Sequence, residues 1–325
     1  MARRLRRTRL VALAAVVGLG LTACGGSDIK DDKAGGSGDT GGKDCGDLNI
    51  AVNPWTGYVS NAHVIGEVAK TQLGCNVSYP EVKEEVGWQG MADGSIDTIV
   101  ENWGHPDLVS KYIDDQKSVQ DAGPTGGQGI IGWYVPPWMA EEYPDITDWN
   151  NLNKYADLFK TSESGDQGQL LDGDPSYVTN DEALVKNLDL NYKVVVGGSE
   201  AALIQSFKSA EENKTPLLAY FYEPQWFFSQ MKLVHIDLPP YTDGCDADAA
   251  KVACDYPPYT LNKLISTKFA DSGSPAVDLV KNFTWTNDDQ NIVSAYIADD
   301  GMSPDDAADK WIADNQDKVD AWLGK

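Results

Sequence analysis

Beyond residue 9 this chain has no arginine: Arg3, Arg4, Arg6, Arg7 and Arg9 are the only ones. The guanidinium fork is the usual clamp for carboxylate and phosphate, so the rest of the chain is poorly equipped to hold nucleic acid, phosphorylated ligands or α-amino acids by their anionic ends. Of 26 basic residues, 21 lysines then remain against 50 acidic ones. That imbalance favours cations near the surface. Histidine is scarce, with three in all, and no Gly-x-Ser-x-Gly, His-Glu-x-x-His or Cys-x-x-Cys spacing occurs. Serine-hydrolase, zinc-protease and thioredoxin-like chemistry therefore have no support, and neither a metal nor a cofactor is expected.

The arginines that are present open an export signal. They precede the apolar run Leu10 to Leu21, which falls short of the ~20 residues that a spanning helix needs. The run ends at Leu21-Thr22-Ala23-Cys24, which resembles the bacterial lipobox, in which the cysteine is acylated. We expect residues 1–23 to be removed, Cys24 to be lipidated and the protein to be anchored outside the cytoplasm. Residues 24–43 are mostly Gly, Ser, Asp and Lys, with Ile29 as the one large aliphatic, and read as a flexible tether. The other four cysteines fall into local pairs, Cys45 with Cys75 and Cys245 with Cys254. Export to an oxidising space makes two structural disulfides the simplest account.

About 280 residues follow the tether, enough for two domains. Strand-like runs at Leu48 to Val52, Asn76 to Tyr79 and Ile96 to Val100 alternate with helical patterns at Val59 to Leu73 and Gly87 to Ala92. The alternation repeats later: Gly129 to Val135, Val194 to Val196, Leu217 to Tyr222 and Leu233 to Leu238 read as strands, with a helix from Ser199 to Ala210. Tyr155 to Tyr177, rich in Gly, Asp and Ser, reads as loop, and the chain after Ser303 reads as helix. This is an α/β pattern with a parallel sheet. It predicts two lobes with a cleft between them, residues 44–128 and 239–325 forming the first and 129–238 the second.

In open α/β sheets ligands bind beyond the carboxyl ends of strands. Three such ends carry aromatics: Asn53-Pro54-Trp55, Glu101-Asn102-Trp103 and Ala219-Tyr220-Phe221-Tyr222, with Tyr177 in a nearby loop. Several π faces in an arginine-free cleft suit a bulky, poorly hydrated cation. From about Asp47 onward the chain resembles the glycine betaine and choline-type binding proteins of ABC importers. The resemblance rests on Trp88 to Asp97 followed by Glu101-Asn102-Trp103, on Tyr222-Glu223-Pro224-Gln225-Trp226 and on Asp174-Pro175-Ser176-Tyr177. It implies a two-lobed periplasmic-binding-protein fold of type II, no catalysis, and a monomer that delivers a quaternary-ammonium osmolyte to a membrane permease. Glycine betaine is the first guess, with choline and carnitine as alternatives. The cage would be Trp55, Trp103, Tyr177 and Tyr222; main-chain amides of the turn through Gly57 and Tyr58, together with His105, would meet the carboxylate.

Most of the ten tryptophans must be core. Trp149, Trp285, Trp311 and Trp322 read as packing, Trp226 as the wall behind a cage residue, and His63 and His235 as structural. Two other classes compete with a binding module: a lipoprotein hydrolase working with carboxylates alone, and a surface scaffold whose aromatics form a partner patch.

Overall fold

The computed structural model describes residues 45–325 apart from residue 178. The expected leader, tether and lipidated Cys24 lie outside the described residues. Among the described residues no helix is long and apolar enough to cross a membrane.

Among the described residues nine strands and the helices around them form two lobes. In the first, β1 (Asp47–Asn49) pairs in parallel with β2 (Asn76–Ser78), and Ile50 bridges to Thr98 at the start of β3 (Thr98–Asn102). Helix α1 (Thr56–Val68), continued by a wider turn to Leu73, and α2 (Glu84–Asp93) make the crossovers. Both end in left-handed glycines, Gly74 and Gly94, which stop the helix where a side chain would be strained.

The lobes share one strand. β4 (Val119–Val135) pairs with β9 (Tyr259–Ser266) along its first part and, from Ile130 on, with β7 (Ala219–Glu223). Its early part begins ten residues before the strand read from sequence, because Gly123, Pro124, Gly126 and Gly127 interrupt the apolar pattern there. The second lobe's sheet continues from β7 to β5 (Gly168–Asp172) and β6 (Tyr192–Val196), with β8 (Val234–His235) beside β4. β5 falls inside the segment read as loop. Its Gln-Leu-Leu core is too short to stand out among polar neighbours, yet Leu170 and Leu171 are buried against strands on both sides. The helices here include α3 (Asp181–Asn187) and α4 (Glu200–Asn213), the latter capped by Ser199.

β9 pairs with β3 and so runs with the first lobe's strands. Residues 239–258 stay with the second lobe: Asn187 donates to the carbonyls of Ala250 and Val252, and the Tyr256 hydroxyl donates to the buried Asp181 carboxylate at 2.7 Å. Pro239 and Pro240 end strand pairing without turning the chain back. After β9, α5 (Asn287–Ala298) and α6 (Pro304–Asp314) pack on α1. Trp285, Trp311 and Trp322 are buried with Phe283 in one ring cluster beneath them, Trp311 stacked on Trp322 and Trp285 edge-on to Trp311, as expected of packing residues.

Candidate functional site

Trp55 and Trp103 come from different places in the first lobe, and one carboxylate joins them. Trp55 is the extended residue just before α1, and Trp103 follows the last residue of β3. Both indole nitrogens donate to the same oxygen of Glu101, each at 2.7 Å. The other oxygen accepts from Asn61 of α1 at 2.6 Å and from Gln290 of α5 at 2.9 Å. Glu101 is 1% exposed, and burial pushes its pKa up to about 7 against the lowering effect of the bonds from Trp55, Trp103 and Gln290. Sequence reading quoted Glu101 as part of a motif but assigned it no role. The available signal was an acid inside a strand whose every residue is buried.

The second lobe supplies facing rings. Tyr222 stands edge-on to Trp103, with ring centroids 5.9 Å apart, and Tyr177 stands edge-on to Trp55 at 5.7 Å. Tyr177 and Tyr222 are themselves perpendicular at 6.1 Å, so the four predicted rings form one cluster spanning both lobes. Two rings that sequence reading left out of the cage extend it: Tyr220, two residues before Tyr222 on β7, and Tyr259, which opens β9 and lies 5.6 Å from Trp103. Period-two alternation on β7 could have found Tyr220. Tyr259 could not be found that way, because β9 was not read. Two glycines make room: a Cβ at Gly129 would lie 2.5 Å from the Trp103 ring, and one at Gly173 would lie 2.5 Å from Tyr177. Burial raises the phenol pKa of Tyr177 and Tyr222, so both rings stay neutral.

These rings line a cavity of about 540 Å³, within the range of small-molecule sites. Its remaining lining is Ile131, Asn180 and loop residues, with the carboxylates Glu84, Asp107 and Asp246 and the imidazole of His105, and no lysine. His105 is buried, with Nε2 3.0 Å from Glu84, a distance for an ion pair though not aligned as a hydrogen bond. Burial works against its imidazolium, but Glu84, Asp107 and Glu85 outweigh this and raise its pKa. Among the described residues no group of three or more His, Cys, Asp or Glu could hold a metal ion.

Gly57 and Tyr58 do not line the cavity. Both are buried in α1, where Gly57 lies against Gln290 and the Tyr58 hydroxyl accepts from the Val100 amide at 3.3 Å. At the start of the helix the amide of Thr56 is taken. Its N–H and hydroxyl donate to the two carboxylate oxygens of Glu200, at 3.1 and 2.7 Å, and the Tyr222 hydroxyl donates to Glu200 at 2.6 Å. Glu200 opens α4 of the second lobe, so these bonds tie the lobes together beside the cage.

Elsewhere, disulfide bonds join Cys45 to Cys75 and Cys245 to Cys254. Trp226 is buried and lines a second cavity that also touches Trp55 and Glu200, with Lys208 over its ring. Trp88 is core, packed on Tyr112, and Trp149 is half-buried.

Residues 46–314 match the family model described as the substrate-binding domain of ABC-type glycine betaine transport systems. The chain belongs to this family. Its members are extracytoplasmic proteins that bind small ligands and deliver them to an ABC permease; they are not enzymes. The trimethylamine N-oxide-binding protein of Pelagibacter ubique is 25% identical over 280 residues, covering 82% of this chain and 87% of that one. The glycine betaine/carnitine transport binding protein GbuC of Listeria monocytogenes is 27% identical over 124 residues, 38% of this chain and 37% of its own. Among solved structures, lactococcal OpuAC closed on glycine betaine superposes with a TM-score of 0.67 at 22% identity, covering 85% of this chain and 99% of that one. An ABC-transporter choline-binding protein in complex with choline gives 0.70 at 18% identity, covering 86% and 92%. These likenesses show the two-lobed periplasmic-binding-protein fold.

Proposed function

We propose that this protein captures a small quaternary-ammonium compound, glycine betaine or a relative of it, in the cage of Trp55, Trp103, Tyr177 and Tyr222. It acts as a monomer, is held at the outer face of the cell membrane by a lipid on Cys24, and passes its ligand to an ABC permease. The observation that carries the reading is the meeting of aromatic faces from both lobes around one cavity with no lysine in its wall. Each face over a cation contributes ~0.5 to 2 kcal/mol, so four bring micromolar affinity within reach without an ion pair. Glu101 holds both indoles by their edges and leaves their faces free for the ligand. The ligands named for the relatives, trimethylamine N-oxide, glycine betaine, carnitine and choline, all carry a trimethylated nitrogen, which agrees with such a cage.

Calorimetric titration with glycine betaine, choline, carnitine and trimethylamine N-oxide tests this. We expect saturable one-to-one binding of at least one of them, and far weaker binding of its carbon analogue, in which a tert-butyl group replaces the trimethylammonium. Equal affinity for the neutral analogue would make the site an ordinary apolar pocket.

A further inference from the structure

One wall of the cage cavity is not regular structure. Asp246, Ala247 and Ala249 line it from the irregular segment between β8 and β9, whose two arms are held very differently. The later arm is anchored. Val252, Cys254 and Tyr256 are buried, Asn187 at the end of α3 donates to the carbonyls of Ala250 and Val252, and the Asp255 N–H donates to the Pro239 carbonyl at 2.7 Å. The earlier arm, residues 241–247, leaves Thr242, Asp243, Gly244 and Ala247 exposed. Among the described residues its hydrogen bonds stay within it: the Cys245 N–H to the Thr242 carbonyl, the Ala247 N–H to the Gly244 carbonyl, the Tyr241 hydroxyl to Asp246 and the Thr242 N–H to the Cys245 sulfur. Apart from the packing of Tyr241 and Cys245 on the core, what ties this arm to the anchored one is the bond from Cys245 to Cys254. Asp246, which reaches the cavity, is the next residue along.

The other disulfide is placed differently. Cys45 and Cys75 are both buried beside β1 and β2, whose backbone pairing already joins those segments, and neither lines the cavity. Resting on the cage reading above, we infer that the Cys245–Cys254 disulfide is a positioning element of the binding site, so that ligand capture depends on its being oxidised. With the bond cut, the earlier arm gains conformations in which Asp246 and Ala247 leave the cavity wall, and binding must order them again. Cys245 is half-buried where Cys45 and Cys75 are buried, which leaves this bond the more open to a thiol reductant. A dithiol reduces it in two exchanges. The first thiolate forms a mixed disulfide with one cysteine and releases the other; the second thiol then closes the reductant into a cyclic disulfide. Two electrons and two protons pass to Cys245 and Cys254, which end as thiols.

The test is calorimetric titration of the full-length protein with glycine betaine and with choline. The double variant Cys245→Ser, Cys254→Ser should bind roughly tenfold more weakly than the oxidised wild type, while Cys45→Ser, Cys75→Ser stays within about twofold. Linkage supplies a second readout that needs no variant. If oxidation tightens binding tenfold, saturating probe must favour the oxidised form tenfold, moving the midpoint of Cys245–Cys254 reduction in dithiothreitol buffers by about 30 mV and leaving that of Cys45–Cys75 in place. Should the first double variant fail to fold, that midpoint decides. Unchanged affinity without the Cys245–Cys254 bond, equal losses in both double variants, or a midpoint that the probe does not move overturns the inference and leaves the cage intact. Failure of both probes to bind the oxidised wild type overturns the cage reading and this inference with it.

Discussion

Replacing Glu101 with glutamine changes one atom of a buried carboxylate that four donors share, and the structure says what should follow. The amide oxygen can keep the two indole N–H groups, which converge on a single carboxylate oxygen. The new NH2 then faces the NH2 groups of Asn61 and Gln290. Gln290 can relieve its conflict by turning its amide over. Asn61 cannot, because its nitrogen also serves the Gly57 carbonyl at 3.0 Å. One buried donor is left unmet, at a cost of ~1 to 3 kcal/mol. The pH dependence separates this packing cost from the charge. Glu101 has a folded pKa of about 7, above that of an unfolded glutamate, so the stability it confers is full below the ordinary carboxylate range and is lost as pH rises through about 7. A cation in the cage favours the ionised form and lowers that pKa, so affinity should rise with pH through about 7 and level off above it. Thermal denaturation and calorimetry from pH 5.5 to 8.5 would show both trends in the wild type; in Glu101→Gln the affinity trend should be lost and the stability trend reduced to the share of Asp181, which burial also pushes up to about 7. A variant as stable as the wild type, with the same pH dependence of binding, would refute the assignment of Glu101 as the charge behind the cage.

Trp103→Ala and Tyr222→Ala should each cost ~1 to 3 kcal/mol of ligand affinity, through lost cation-π attraction and lost apolar contact; full affinity in both folded variants would place the site elsewhere. Thr56→Val removes one bond to Glu200 across the cleft and should weaken binding by roughly five- to thirtyfold, with a larger radius of gyration in ligand-free protein by X-ray scattering; unchanged scattering and affinity would show that this contact does not hold the lobes together. Cys24→Ala should move the protein from the membrane fraction to the soluble one, and equal retention on the membrane would defeat the lipid anchor.

How the chain divides between legible and illegible parts follows from the range of the interactions. Alternating strand and helix periods, the absence of arginine beyond the leader and the aromatic strand ends are local signals. They were enough for the α/β class, the two-lobed fold and four of the rings that now meet around one cavity. β5 and β9 were not legible, because a short apolar run becomes a strand only when neighbours from distant sequence cover it, and with β9 went Tyr259. Gly57 and Tyr58 belong to the buried first turn of α1, and sequence shows a turn near a ligand but not what packs against it. That Glu200, from the other lobe, sits on Thr56 depends on how the lobes meet. Glu101 makes the same point most sharply. Its residue type and place at a strand end were visible from the start, but its role arises only where Trp55, Asn61, Trp103 and Gln290 converge on it from α1 and the residue before it, from α5 and from the loop that follows β3. Local pattern determined which rings the protein has to offer a cation; long-range packing determined how they are held, and which carboxylates stand beside them.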